Sequence, residues 1–248
     1  MSVRKKVVAG VLLTLFGGLL SIYLPAQNAN PRRIPDKKTY LADVTAILKQ
    51  KWPANRTVNI ACHGHSVPAG YFKTPVVDTL NAYPHLLHKG LNERFPYAVI
   101  NVIVTGIGGE TSERGAERFE KDVLSHNPDV ITIDYVLNDR GIGLEKARLS
   151  WVSMIEKAKA KGIKVILLTP TADMGARLDD PNDPLNKHAE QVRKLAREYN
   201  VALVDSLAVF QGYVAGGGQL QELMSQRNHP NRKGHQLVVR ELLEWFPE

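Results

Sequence analysis

From Val58 onward, short unbroken apolar runs alternate with longer stretches in which apolar residues recur at helical spacing. The runs are VNIACHG (58–64), AVINVIVT (98–105), DVITIDYV (129–136), KVILLTP (164–170) and VALVDS (201–206). A strand with one wet face alternates apolar and polar residues, whereas a continuous run suits a strand covered on both faces of a parallel sheet. Helices are expected between the runs, at 79–94, 111–125, 143–162 and 184–199, with a last one at 232–246.

Strand and helix alternating five times predict an α/β protein: a three-layer α/β/α sandwich, flavodoxin-like, with about five parallel strands. Ligands of such open sheets bind beyond the carboxyl ends of the strands, where the strand order reverses. Chemistry is therefore expected where the runs stop. The pattern shows no internal repeat and no second folded domain.

The N-terminus follows a different rule. Arg4, Lys5 and Lys6 precede an uncharged apolar run of 18 residues, Val7 to Leu24. A basic region before an apolar core reads as a secretory signal, and the run is also long enough for a retained membrane anchor. The chain is expected to be exported, to the periplasm or the extracellular space. Residues 1–29 would be the signal or anchor, 30–40 a proline-containing linker, and 41–248 the folded domain. Cleavage and oligomeric state are left open.

Composition changes the picture little. The formal charge of +7 owes three positive charges to the N-terminal segment; without it, 29 Lys and Arg face 25 Asp and Glu. No basic stripe interleaves with aromatics, so nucleic acid is not an expected partner. The one cysteine, Cys62, sits in an apolar run and reads as a small core residue.

The run ends carry the polar residues. The first ends at GHS (64–66), with Ser66 leaving the sheet and Gly64 permitting a tight backbone; Gly70 starts the next segment. The second ends at TGIGGETS (105–112), where Gly108 and Gly109 leave backbone N–H groups accessible before a helix capped by Thr111 or Ser112. The third ends at YVLNDR (135–140) with Asn138 and Asp139. Near the C-terminus, NHPNRKGH (228–235) places His229 in a proline-stiffened loop. Taken singly, these are turn and cap residues; four in order, each at a run end or terminal loop, are harder to dismiss. His63 and His65 are i and i+2, so on a strand they share a face, but no third metal ligand is placed by the sequence. His63 is read as a buried, hydrogen-bonded histidine, and no metal or cofactor is expected.

This constellation resembles the SGNH hydrolases, the GDSL esterase/lipase family. Ser66 in GHSVPAGY is similar to the family's first block, Gly109 in GGET to the second, Asn138 in LND to the third, and His229 in NHPNRKGH to the last. The resemblance implies Ser66 as nucleophile and His229 as its base. It also implies an oxyanion hole made by the N–H groups of Ser66 and Gly109 and the side-chain amide of Asn138. GHSVP lacks the Gly-x-Ser-x-Gly elbow of α/β-hydrolases.

Two positions depart from the family pattern. His65 stands where the first block usually has Asp, and Gln226 where an Asp three residues before the histidine would orient the imidazole. Replacing such an aspartate by its amide lowers turnover about 10⁴-fold in a serine protease. Three outcomes are open: a Ser-His dyad held by Gln226 or a backbone carbonyl; an acid supplied from elsewhere, such as Glu222, Asp139 or Glu110; or a catalytically impaired glycan-binding relative. The leading expectation is an exported serine esterase acting on O-acyl esters, with acetyl groups on carbohydrate as substrate class and lipases or lysophospholipases as the family alternative. Tyr71, Phe72, Tyr135 and Trp151 are candidate sugar-stacking aromatics, with packing around the sheet as the simpler role.

Overall fold

The computed structural model describes residues 33–248, so the N-terminal signal or anchor segment lies outside the described residues. Helix α1 (Ala42–Leu48) precedes β1 (Thr57–Gly64), which runs into the single turn α2 (Ser66–Ala69). Helix α3 (Tyr83–Arg94) leads to β2 (Val99–Val104), and α4 (Ser112–Asp122) to β3 (Val130–Asp134). The short α5 (Val136–Asp139) and long α6 (Leu144–Ala160) lead to β4 (Lys164–Leu168), and α7 (Pro184–Tyr199) to β5 (Ala202–Val204). Helix α8 (Ser206–Ala215), the hairpin β6 (Met224–Gln226) and β7 (His229–Pro230), and α9 (Arg232–Leu243) complete the chain.

The five main strands form one parallel sheet in the order β2-β1-β3-β4-β5. This is the flavodoxin-like three-layer sandwich that the alternation predicts. Right-handed crossovers explain the layering. The step from β1 to β2 runs toward one edge and the later steps run toward the other, so their helices cover opposite faces. Accordingly α3 packs on α9, while α4 packs on α6 and α6 on α7. The order reverses between β1 and β3, whose carboxyl ends carry Ser66 and Asn138.

Burial follows strand position. Every residue of β3 is buried, whereas the edge strand β2 is only partly covered and exposes Val99. Three of the five apolar runs are thus central strands, while AVINVIVT and VALVDS form the two edges, AVINVIVT with one side half open. Cys62 and His63 are buried in β1, and burial pushes the Cys62 thiol up to about 12. Tyr135 and Trp151 are also core side chains, which removes them as sugar-stacking surface.

Several elements have no counterpart in the periodicity. Helix α8 (SLAVFQGYVA) is mostly apolar all round, so its sequence lacks the polar face that announces a helix. The β6–β7 hairpin is too short to register as strands. The described end of the proline-containing stretch packs on the domain: Tyr40 donates from its hydroxyl to Val165 O (3.0 Å), and Lys37 pairs with Glu241 (3.3 Å).

Gly64 ends β1 where the chain passes close to β3. A Cβ there would lie 2.4 Å from Asp134 O and 2.8 Å from the Pro68 ring. Because the obstacle is partly backbone, the strand itself would have to move. Gly64→Ala is expected to destabilise the domain by about 1–3 kcal/mol, the range for overpacked interiors. Urea unfolding measures this, and an unchanged midpoint would refute the close-approach account.

Candidate active site

Ser66 is the first residue of α2, so its N–H has no intrahelical partner. His65 caps that turn: its Nδ1 accepts from Val67 N–H at 3.1 Å. An imidazole nitrogen that accepts carries no proton, which puts the His65 proton on Nε2, 3.4 Å from Asp134 Oδ1. The residue that stands where the family usually has aspartate thus supplies an acceptor at the N-cap position.

His229 reaches Ser66 from β7. Its Nε2 lies 2.9 Å from Ser66 Oγ, while His65 Nδ1 is 3.5 Å from the same oxygen. Two groups meet the other nitrogen of His229. The backbone carbonyl of Phe72 lies 3.0 Å from Nδ1, and Gln226 Nε2 lies 2.6 Å away. Thr74 sets the direction of the Gln226 amide, because its N–H (3.1 Å) and its hydroxyl (3.2 Å) both donate to Oε1. Gln226 therefore turns its NH₂ end to the imidazole, not the carbonyl that would hold an Nδ1–H.

The two neighbours select opposite tautomers. An amide NH₂ favours a bare Nδ1 and hence Nε2–H, which cannot take a proton from Ser66. The Phe72 carbonyl accepts from Nδ1–H and leaves Nε2 bare toward the hydroxyl. Phe72 is itself held by His235, whose ring stacks on it at 5.3 Å between centroids with 28° between planes. His235 Nδ1 accepts from Tyr83 N–H, and burial pushes its pKa down to about 3, so it stays neutral.

None of the three carboxylates considered as a displaced acid touches His229. Glu222 is exposed and bound to Tyr213 and Lys233. Asp139 is buried on Ser112 N–H (2.7 Å) and Trp151 Nε1–H (2.7 Å). Glu110 is buried on Arg118 (Nε, 2.8 Å) and on the Tyr135 hydroxyl (2.9 Å).

Glu110 belongs to a network that fixes the loop carrying Gly109. Tyr135 donates to Glu110 and meets His63 Nε2 at 3.0 Å, and His63 Nδ1 meets Thr105 Oγ1 at 2.8 Å. Both ring nitrogens of His63 are thus used inside the protein. Burial, aided by the Arg118 charge, pushes its pKa down to about 3. Arg118 also donates to Thr105 O (2.6 Å), and Ile107 N–H to Gly64 O (3.0 Å). Gly109 sits at φ +77°, a left-handed conformation that glycine adopts without penalty. Asn138 Nδ2 spends one proton on Glu110 O at 2.9 Å, and an amide NH₂ carries a second. Ser66, Gly109, Asn138, Gln226 and His229 are thus gathered at one end of the sheet.

Against known proteins, the model of the GDSL-like lipase/acylhydrolase family matches residues 62–237. The chain belongs to that family. As a member it is a carboxylic ester hydrolase of the SGNH type. It is 26% identical over 161 residues to an acetylxylan esterase of Geobacillus stearothermophilus, covering 60% of this chain and 73% of that one. Esterase TesA of Pseudomonas aeruginosa is 30% identical over 152 residues, covering 60% of this chain and 69% of the esterase. Among solved structures, a two-domain esterase active on acetylated mannans superposes with a TM-score of 0.69 at 25% identity. That match covers 84% of this chain, which spans about half (52%) of the two-domain enzyme. Among the described residues, no helix is long and apolar enough to cross a membrane.

In this GDSL-family chain two contacts around His229 are not revealed by residue identity. The Phe72 carbonyl is a backbone group, visible only once the chain is folded. His235, the last residue of NHPNRKGH, stacks on Phe72 only because of where α9 begins.

Burial lowers the pKa of His229; the Phe72 carbonyl opposes this by favouring the protonated ring, and the neighbouring His65 adds to the lowering. A base works when neutral, so reactivity holds above the folded-state pKa and is lost as pH falls through it. The acid limb of Ser66 labelling by an organophosphonate should have its midpoint below the ordinary histidine value of about 6.5. Labelling rates against pH check this, and a midpoint at or above that value would contradict it.

Proposed function

We propose that the protein is an exported serine esterase that removes acyl groups, acetyl above all, from carbohydrate by means of a Ser66–His229 dyad. The observation that carries this reading is the Ser66 Oγ–His229 Nε2 distance of 2.9 Å with the Phe72 carbonyl behind Nδ1. A serine hydroxyl becomes a competent nucleophile when a base takes its proton as it attacks. His229 takes that proton while Oγ bonds to the ester carbonyl carbon. The oxygen of the tetrahedral intermediate is received by Ser66 N–H, Gly109 N–H and the second Nδ2 proton of Asn138. His229 then protonates the departing sugar oxygen as the C–O bond breaks, leaving an acyl-Ser66. Water repeats the sequence, with His229 as base, and releases the carboxylic acid.

The Phe72 carbonyl stands in for the missing aspartate. It holds the productive tautomer and stabilises the imidazolium with a dipole, where a carboxylate would offer a full charge. Acetylated carbohydrate is supported by the names of the relatives and by Tyr71, which is 38% exposed. Its ring centroid lies 6.1 Å from that of His229, a position from which it can stack on a sugar. The apolar segment 7–24 supports export.

Ser66→Ala should reduce kcat for 4-nitrophenyl acetate by at least about 10³-fold. Equal rates for the variant and the native protein would overturn the serine mechanism. Gln226 separates the ways of holding His229. If Phe72 orients the ring, Gln226→Ala should retain kcat within about tenfold, because it removes the competing donor and the tie to Thr74 but leaves the Phe72 carbonyl on Nδ1. Gln226→Asp should raise kcat and shift the acid limb upward, since a carboxylate beside the imidazole favours its cation. A loss of 10²-fold or more in Gln226→Ala would instead make Gln226 the orienting group.

A further inference from the structure

The loop after β4 carries Asp173, whose residue is 2% exposed although it sits among charged partners. Its Oδ2 accepts from Arg140 Nη2 at 2.7 Å, and its Oδ1 accepts from Arg227 Nε at 3.1 Å and from Gly175 N–H at 2.8 Å. Burial alone would raise the Asp173 pKa, but Gly175 N–H and the two guanidinium groups outweigh it and hold the carboxyl below its ordinary value. The group is therefore an anion shared by two cations, with one positive charge in excess.

Both arginines stand next to the active-site residues. Arg140 directly follows α5, two residues after Asn138, and its Nε donates to Leu137 O at 3.0 Å. Arg227 lies in the turn between β6 and β7, one residue after Gln226 and two before His229. The two differ in how much of the guanidinium is used. Arg140 is mostly covered, while the Arg227 side chain is 71% exposed. Arg227 uses only Nε, so its two Nη groups have no partner among the described residues.

Arg227 is nevertheless fixed. Its carbonyl accepts from Met174 N–H at 2.8 Å, and Asp173 holds Nε. The Nε–Nη2 side of the guanidinium also lies against Gly175, where a Cβ would come within 2.4 Å of Nη2. A long exposed side chain normally loses rotamer freedom when it binds. Here the buried carboxylate and the bare glycine backbone have already imposed that order. What faces solvent is a planar pair of Nη groups whose spacing matches the two oxygens of a carboxylate.

The geometry points to Arg227 as a subsite for a carboxylate on the substrate, which makes an acylated glycan containing uronic acid the preferred substrate class. This rests on the carbohydrate-esterase reading and narrows it. The acid would sit on a sugar next to the acylated one, bound in the ground and transition states alike. Its effect should therefore fall on KM and not on kcat. Arg140, spent on Asp173 and Leu137, acts as the brace that keeps Asp173 ionised.

Direct binding tests the subsite apart from turnover. On the Ser66→Ala background, calorimetry would compare an oligouronate with a neutral oligosaccharide of the same length and linkage. The oligouronate should bind at least about 10-fold tighter at low salt, with the advantage shrinking as ionic strength rises. Arg227→Gln should abolish the advantage, and Arg227→Lys should keep only part of it, because it retains charge without the fork. The ratio of the two affinities is the readout, so a general loss of folding or affinity cancels. Equal affinities in the Ser66→Ala protein, or an advantage that survives in Arg227→Gln, would overturn the proposal. Hydrolysis of 4-nitrophenyl acetate by the native protein reports separately on the esterase reading.

Discussion

A neutral imidazole has one proton for two nitrogens, and the proposed chemistry depends on which nitrogen of His229 carries it. Only Nδ1–H leaves Nε2 free to accept from Ser66, and 2.9 Å between Nε2 and Oγ is of use only in that tautomer. The chain sets an acceptor, the Phe72 carbonyl, and a donor, the Gln226 amide, against the same nitrogen. A carbonyl dipole decides the tautomer without adding a charge. Part of an aspartate's contribution, orientation and tautomer, can thus be delivered by backbone, while the electrostatic part cannot. On the proposed mechanism, that division is how Ser66 and His229 would work without a carboxylate behind the imidazole.

Holding a backbone carbonyl in place needs more structure than holding a side chain. The segment after α2 is tied at several points: Tyr71 N–H to Ser66 O, Phe72 N–H to Val76 O, and Thr74 to Gln226. His235 stacks on the Phe72 ring from α9. Gln226 also touches this segment. Its carbonyl fastens the 72–76 segment to the β6–β7 hairpin, so the element that bears His229 and the one that bears its acceptor move together. On the other side of the nucleophile, Glu110, Arg118, Tyr135 and His63 lock the Gly109 loop by the same means, saturated buried hydrogen bonds. Such a network is stabilising only when every member is paired.

The sheet, and the gathering of Ser66, Gly109, Asn138 and His229 at one end of it, were legible in the sequence for one reason: both are written in residue type and period. Continuous Val/Ile runs mark the strands, and polar residues at their ends mark the crevice. The mostly apolar α8 escapes that reading because it has no polar face, and the two-residue strand β7 because it has too few residues to show a period. The acid question could not be read at all. Glu222, Asp139 and Glu110 are equally plausible carboxylates along the chain, and only folded distances show each one bound elsewhere. The acceptor belongs to Phe72, whose side chain gives no hint, because every residue carries the same carbonyl.

His65 makes the converse point about substitution. Aspartate to histidine changes charge, size and donor count, yet at an N-cap the requirement is one acceptor aimed at the second or third N–H. The neutral imidazole meets it with Nδ1, and its surplus proton on Nε2 then needs a destination inside the protein. Asp134 Oδ1, at the carboxyl end of the neighbouring strand β3, lies 3.4 Å from that nitrogen, and neither atom makes a hydrogen bond among the described residues. Position 65 therefore keeps an acceptor on Val67 N–H with a residue other than aspartate, so the turn that begins at Ser66 stays capped.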